Sequence, residues 1–366
     1  MISISAPKND PVTVDEAESQ YYRSLRIKKM WIAVFTLTTI GAFFVSIFSC
    51  QSESVTSADV VDVLIAHLTG GTPEHAYADT IVWTYNVPRA IMGVVVGVSL
   101  AVGGAIMQVI LRNPLATPYT TGVSAGASMG AALFIYLDIA LISTGDYNTT
   151  VAINAIVFAM MPTAAILLVA RQRHITPTTM ILAGIAMMYV FSATTTLLML
   201  MAPHAETVES AYMWTVGSLG RVNWDNMWVV IAAVIPCVIF LQFISKQIHM
   251  MNAGQRGATT MGVNVRLYRN LALLVTSAMT AVVVGVTGGI GFMGLISPHL
   301  ARILVGSNMK YMLPCAAVIS ATILLLADAV AKVITISGIP VGVLTSVIGG
   351  PIFIMILIKS ARKVWF

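Results

Sequence analysis

Two polar side chains could support nucleophilic chemistry. Ser124 is the central residue of the segment 122–126, Gly-Val-Ser-Ala-Gly, which matches the Gly-x-Ser-x-Gly pattern of hydrolase nucleophiles, and His299 is a candidate base. That pattern works on a sharp turn between a strand and a helix, whereas Ser124 opens an apolar helical run. Small residues in such a run favour close helix packing. An intramembrane hydrolase is therefore an alternative that serine-directed labelling would test.

His299 could also carry a proton or bind a ligand, because ionisable groups inside membrane segments are often functional. It follows Ser297 and Pro298, and at such a helix break a capping or packing role explains a polar side chain equally well. Ion-coupled transport would need buried acids, and Asp138 and Asp328 lie at the ends of apolar runs. An ion-coupled secondary transporter is the second alternative, and purification with or without an ATPase partner would distinguish it from a transporter that is driven by ATP.

We expect no resident metal and no bound nucleotide in this chain. Its 22 methionines and 3 cysteines form no tight cluster, and the sequence contains no Cys-x-x-Cys. It also lacks the Gly-x-x-x-x-Gly-Lys-Ser/Thr phosphate loop, so ATP would have to bind another subunit. We therefore predict that the chain binds no cofactor and is not itself an enzyme.

The composition predicts an all-α polytopic membrane protein. Hydrophobic residues make up 57% of the 366 residues and charged residues 10%, whereas a soluble domain carries about 45–50% and about 25%. Apolar runs of about twenty residues, the length that crosses the hydrocarbon layer, recur along the chain. We expect ten spans, at 31–49, 87–110, 119–137, 151–170, 178–201, 227–245, 268–287, 290–305, 311–331 and 339–358.

The basic residues predict that both termini lie in the cytoplasm. With ten spans, all of the 20 Lys and Arg except Arg89, Arg221 and Lys332 fall in inner segments, as the positive-inside rule requires. The net charge of +5 is thus a topology signal, and neither charge nor composition calls for nucleic acid. Residues 1–30 are expected to form a disordered cytoplasmic tail, and residues 31–366 a ten-helix transmembrane domain surrounded by lipid.

Two outer segments are expected to form short helices. The segment 206–226, with Trp214, is too polar for a span and is predicted to lie as a helix at the outer interface. The long segment 50–86 is predicted to contain an amphipathic helix, because apolar residues recur at helical spacing. These are Val60, Val61, Leu64, Ile65 and Leu68.

The most specific pattern in the chain lies at 288–306, which reads Gly-Gly-Ile-Gly-Phe-Met-Gly-Leu-Ile-Ser-Pro-His-Leu-Ala-Arg-Ile-Leu-Val-Gly. It resembles the Gly-x-Ile-Gly-Phe-x-Gly-Leu-x-x-Pro-His-x-x-Arg signature of permease subunits in binding-protein-dependent ATP-binding-cassette importers for iron-siderophores, heme and vitamin B12. Residues 112–118 resemble the Arg-Asn-Pro-Leu-Ala-x-Pro turn of the same family. We expect structural roles for the residues that carry these matches: Asn113, Pro114, Gly291, Pro298, His299 and Arg302.

The resemblance covers about Val87 to Ile358 and implies a dimeric permease of ten helices in the cell (cytoplasmic) membrane. Such a chain pairs with a second copy or a paralogue, and the pathway follows the two-fold axis. It works with separate ATPase subunits, which use the ATP, and with an extracytoplasmic substrate-binding protein. Iron(III)-siderophore is the commonest cargo in the family, and cobalamin and heme remain alternatives.

The same resemblance implies residues for coupling and for an inner gate. Residues 251–263 are similar to the segment Leu-Gly-Glu-x-x-Ala-x-x-Leu-Gly-Val, which docks in a cleft of the ATPase subunit. This implies coupling roles for Gly254, Gln255, Arg256, Ala258, Thr259, Met261 and Gly262. Residues at the start of the fifth span narrow the inner mouth in the similar vitamin B12 importer, which implies a gate at Thr176, Pro177 and Thr178. Threonine capping and a proline in the first helical turn would explain those residues equally well.

Three outer positions correspond to arginines that meet glutamates of the binding protein in this family. They are Asn86, Arg89 and Lys332, and Arg89 alone keeps the family's residue. A lysine cannot reproduce the bidentate fork of an arginine. Asp328 precedes Lys332 by four residues, so the two side chains can pair on one helix face.

Overall fold

The computed structural model describes residues 14–50, 52, 54–172, 176–202, 204–334 and 338–361. Within these ranges the regular elements are helices, and one isolated β-bridge joins Val216 to Gly289. In chain order the α-helices are α1 (Val14–Phe48), α2 (Ser57–Thr69), α3 (Ala76–Asp79), α4 (Val87–Ile110), α5 (Val123–Leu137), α6 (Tyr147–Val169), α7 (Pro177–Leu200), α8 (Ala205–Thr215), α9 (Trp224–Phe243), α10 (Ser245–Met250), α11 (Gly254–Thr260), α12 (Val265–Thr287), α13 (Met293–Val305), α14 (Met309–Val333) and α15 (Val341–Ala361).

The helices agree closely with the predicted spans. Seven helical segments of the described chain are long and apolar enough to cross a membrane, and these contain α1, α3 with α4, α6, α7, α9, α12 and α14. The shorter α5, α13 and α15 are also apolar. Each of the ten predicted spans overlaps one of these segments, and the all-helical class is confirmed.

The first helix begins well inside the segment that we expected to be disordered. α1 starts at Val14 and continues without a break into the first span, so the expectation of disorder is wrong for residues 14–30. Good helix formers fill this stretch, and no glycine or proline interrupts α1 before Gly41. Residues 1–13 lie outside the described part of the chain.

The second span also begins earlier than predicted. A π-helical segment, Thr80–Asn86, joins α3 to α4, so one helix runs from Ala76 to Ile110. Pro88, the second residue of the predicted span, has no amide hydrogen and so cannot donate a hydrogen bond to the preceding turn. The wider π-turn accommodates this missing bond, and the Val87 amide donates to the Val82 carbonyl five residues back.

α4 lies at the centre of the bundle and is buried along most of its length. It packs against α14, α12, α13, α9 and α1, while α5 packs mainly against α6 and α7. Glycines bring its backbone into direct contact with two neighbours. A Cβ on Gly97 would lie 2.7 Å from the Ala321 Cα, and one on Gly104 would lie 1.9 Å from the Gly294 carbonyl oxygen.

The first residues of the signature segment, before α13, are not helical, although we predicted a span from residue 290. The predicted eighth span, 290–305, is helical only as α13, whose 13 residues measure about 20 Å at 1.5 Å per residue. Before it, the Gly289 carbonyl accepts a hydrogen bond from the Gly217 amide at 3.1 Å, and the Ile290 amide donates to the Tyr119 hydroxyl at 3.0 Å. Non-helical backbone can lie among spanning helices when the protein itself satisfies its polar groups.

The two short outer helices exist, but they bury different faces from those expected. In α2 the buried residues are Val60, Val63 and Ala66, so most of the predicted apolar stripe is exposed. α8 is a helix as predicted, but Trp214 is buried in a cluster with α5, α6 and α12 rather than placed at an open interface.

Candidate docking, gate and coupling sites

The three outer docking candidates surround a buried carboxylate. Asp328 is fully buried, and its Oδ1 lies 2.8 Å from Arg89 Nη2 and 2.9 Å from Arg89 Nε. Its Oδ2 lies 3.3 Å from Lys332 Nζ, which confirms the pairing predicted from the four-residue spacing. Lys332 also donates to the Ser46 carbonyl at 2.8 Å, so this charge cluster joins α1, α4 and α14. The central position of Asp328 was not predicted from the sequence, where its one signal is an acidic residue near the end of an apolar helix.

This geometry does not suit docking through all three positions. Lys332 is 1% exposed, and the Asn86 amide turns inward to donate to the Ile47 carbonyl at 3.3 Å. Arg89 is also buried, but its remaining terminal nitrogen, Nη1, faces Gly220, where an added Cβ would lie 3.5 Å away. Two of the three docking candidates, Arg89 and Lys332, instead form ion pairs with the buried Asp328 carboxylate.

Arg89 borders an open outer cavity of about 970 Å³. Its wall includes Tyr77, Tyr85 and a second arginine, Arg221. The Arg221 guanidinium donates to the carbonyls of Met213 and Trp214, and its burial lowers the pKa of Arg221 to about 10. The cavity therefore places two guanidinium groups at the end of the bundle that is predicted to face outward.

The coupling segment forms a short helix between two glycines of positive φ. α11 begins at Gly254, whose φ is 94°, and the turn after it contains Gly262, whose φ is 81°. Ala258 is fully buried and anchors the helix, while Met261 is exposed. The remaining side chains form a shallow surface depression, lined by Gln255, Arg256, Thr259 and Thr260.

The gate candidates form the start of α7. Thr176 is its N-cap, and its hydroxyl accepts a hydrogen bond from the Thr179 amide at 3.3 Å, while Pro177 occupies the first turn. The capping interpretation is therefore confirmed. Thr178 is exposed on the first turn. The gate role remains a prediction, and residues 173–175 before it lie outside the described ranges.

The motif residues hold turns and helix contacts at the C-terminal ends of α4 and α13. The Asn113 side chain accepts from the Leu115 amide at 2.9 Å, which fixes the turn that contains Pro114. Arg302 donates to the Gln108 side chain at 2.9 Å, and so links α13 to α4.

Pro298 does not break the helix, contrary to our expectation, because α13 continues through it. A proline cannot donate to the carbonyl four residues back, which here belongs to Gly294. That carbonyl oxygen faces Gly104, where no side chain intervenes.

His299 is buried on the same helix. Gly291 lies in the unwound segment, and Ser124 lies beside Gly289 of that segment.

Two proteins that are similar in sequence to this chain are both named as permease proteins. The chain is 37% identical over 215 residues to a provisionally named ABC transporter permease protein of Methanocaldococcus jannaschii, a match that covers 58% of this chain and 61% of that protein. It is 36% identical over 209 residues to the vitamin B12 import system permease protein BtuC of Salmonella typhi, which covers 57% of this chain and 63% of that protein. The matches thus span about three-fifths of these curated relatives.

Solved structures resemble the chain over more of its length. A provisionally assigned metal-chelate type ABC transporter in an inward-facing conformation matches with a TM-score of 0.76 and 27% identity, covering 90% of this chain and 98% of that one. PsaBC from Streptococcus pneumoniae, solved with a Fab, shares the fold at a TM-score of 0.53 and 18% identity over 80% of this chain and 95% of that one.

The family model of the FecCD transport family matches residues 37–359, which include the central helices, the signature segment and the coupling segment. With its several apolar helices, the protein is a multi-pass protein of the cytoplasmic membrane. The chain belongs to the FecCD transport family.

Proposed function

We propose that this chain is the permease subunit of a binding-protein-dependent ABC importer. The observation that carries the proposal is the fold match to the metal-chelate type ABC transporter, at a TM-score of 0.76 over 98% of that chain. The permease would move its substrate inward with ATP that separate ATPase subunits hydrolyse. An extracytoplasmic binding protein would deliver the substrate.

We further propose ten spans, cytoplasmic termini and a dimer. Contacts between predicted loops support spans that run in alternating directions. The Arg266 guanidinium donates to the Arg171 carbonyl, and both residues lie in predicted inner segments. The Trp224 side chain donates to the Trp83 carbonyl, and both residues lie in predicted outer segments. Apolar side chains on α7 and α15 are exposed and would meet lipid or the second permease chain. These include Leu182, Tyr189, Leu197, Val347 and Ile354.

Iron(III)-siderophore is the cargo that we propose first, with cobalamin or heme as alternatives. The match to a transporter of the metal-chelate type favours an iron complex. The name of the Salmonella relative, a vitamin B12 import permease, favours cobalamin. We propose that the binding protein docks at the outer cavity, where Arg89 and Arg221 can meet acidic side chains.

Reconstitution tests the proposed function. Proteoliposomes would contain the permease with its ATPase subunit, and candidate binding proteins would be loaded with a ferric siderophore, cyanocobalamin or hemin. We expect ATP-dependent accumulation of one of these cargoes. Accumulation driven by an ion gradient without ATP would instead identify a secondary transporter, and would overturn the proposal.

The glycines that flank α11 provide a test of coupling. We expect Gly254→Val with Gly262→Val to abolish ATP-driven transport while ATP hydrolysis continues, because both positions need a positive φ that a β-branched residue resists. Transport and hydrolysis would be measured on the same vesicles. Gly257→Val is the matched control, since Gly257 lies within the α11 helix and has no positive φ. Normal transport by the double variant would remove this segment from coupling.

A further inference from the structure

One buried cation at the inner end of the bundle has no partner among the described residues. Arg269, in α12, is 6% exposed, and its Nε is enclosed without a hydrogen-bond acceptor. Its guanidinium forms no ion pair with any residue in the described ranges. Because a buried charge is costly unless it is paired, an anion beside Arg269 would stabilise this position, and the described residues place none there.

Two further arginines add to this charge. Arg112, at the end of α4, and Arg266, in the first turn of α12, are exposed and lie close enough for their charges to act on Arg269. Arg266 is held in place, since its Nη2 donates to the Arg171 carbonyl at 2.9 Å. Arg112, Arg266 and Arg269 together form what we call the inner arginine group. It lies at the N-terminus of α12, where the helix dipole also favours an anion.

The chain offers few acids that could neutralise this group. Apart from Asp10, Asp15, Glu16 and Glu18, its Asp and Glu residues lie in the predicted outer segments or in the outer charge cluster. The helix that carries three of those four acids, α1, packs mainly against α14. Thus the inner arginine group faces the cytoplasm with no carboxylate from its own loops.

The position of the group indicates which anion it binds. Arg112 Nη2 lies 3.4 Å from where a Cβ on Gly254 would stand, so the group adjoins the start of the coupling helix α11. The helix that carries Arg269, α12, packs against α4, α6 and α9, and the Arg269 side chain itself is buried. An acidic side chain that approaches from the cytoplasm therefore fits better than a lipid phosphate.

We propose that the inner arginine group binds a carboxylate of the ATPase subunit beside the coupling helix. This inference rests on the proposed function, and it adds a specific charged contact to the docking surface. An Asp or Glu side chain would accept hydrogen bonds from Arg112 and Arg266 and would neutralise Arg269 behind them. Charge-assisted bonds of this kind are among the stronger contacts in proteins.

Binding of the purified ATPase subunit to the permease in nanodiscs tests the proposal. We expect Arg112→Glu and Arg266→Glu each to weaken binding by about tenfold or more, since removing one side of a desolvated charge pair typically costs that much. Lys310→Glu is the matched control and should change binding little, because Lys310 is an exposed lysine at the start of α14, a helix that carries no member of the group. An Asp→Arg or Glu→Arg change on the ATPase surface should restore binding to Arg112→Glu.

Three outcomes would overturn the inference. Unchanged ATPase binding by both variants would show that the group is not a docking contact. Tighter ATPase binding after neutralising Asp10, Asp15, Glu16 and Glu18 together, with a less stable permease, would identify the N-terminal segment as the counterion in place of the ATPase. Normal ATPase binding with lost stabilisation by phosphatidylglycerol would identify a lipid site. If the wild-type permease bound no ATPase, the proposed function itself would fail, which is a different result.

Discussion

Asp328→Asn is expected to destabilise the folded protein by about 3–5 kcal/mol, the typical cost of leaving a buried charge without its partner. Arg89 and Lys332 both direct their charges at this carboxylate, with contacts of 2.8 and 3.3 Å. The neutral amide would leave two buried cations near one another between α1, α4 and α14. Their repulsion and poor solvation should open this outer end of the bundle.

Equilibrium unfolding in mixed micelles would measure the change in the free energy of unfolding. Asp225→Asn is the control, because Asp225 is exposed in the first turn of α9 and contributes about 0.3–1 kcal/mol through the helix dipole. A triple variant with Arg89→Met, Asp328→Leu and Lys332→Met removes all three charges and should recover most of the loss. Equal unfolding of Asp328→Asn and the control would contradict the buried charge cluster.

The sequence could not predict this cluster in full. The spacing of Asp328 and Lys332 predicted their pairing, because four residues are one helical turn. The third member, Arg89, comes from a helix more than two hundred positions earlier, so its contact depends on tertiary packing. The docking roles of Asn86, Arg89 and Lys332 followed from the family resemblance and stay predictions. The sequence did not indicate that the Lys332 side chain turns back towards the Ser46 carbonyl.

The helices could be predicted where they depend on interactions between residues that are close in sequence. α7 begins at the predicted cap, Thr176, and α14 coincides with a long apolar run. The unwound residues before α13 could not be predicted in this way, although their glycines indicated an unusual backbone conformation. Their hydrogen bonds come from Gly217 and Tyr119, on distant segments. The burial of Arg269 without an ion pair among the described residues was equally hidden, because the sequence shows a basic residue but not its burial.

Gly104→Ala is expected to cost about 3 kcal/mol or more, at the upper end of the range for overpacked cores. The new Cβ would lie 1.9 Å from the Gly294 carbonyl oxygen, and the nearest atoms all belong to backbone. A flexible side chain could move aside, but here α4 and α13 would have to separate. That separation would also strain the Arg302–Gln108 contact between the same helices.

A graded series of alanine substitutions makes this prediction specific. The distance from the built Cβ to the nearest atom is 1.9 Å at Gly104 and 2.7 Å at Gly97, and it is 3.4 Å at Gly103, where the neighbour is the Pro118 side chain. At Gly41, on the exposed face of α1, no atom lies within 4 Å. Equilibrium unfolding should rank the losses in that order, with Gly41→Ala close to neutral because alanine favours helix. If Gly104→Ala and Gly41→Ala unfold alike, then the close approach of α4 to α13 does not hold this bundle together.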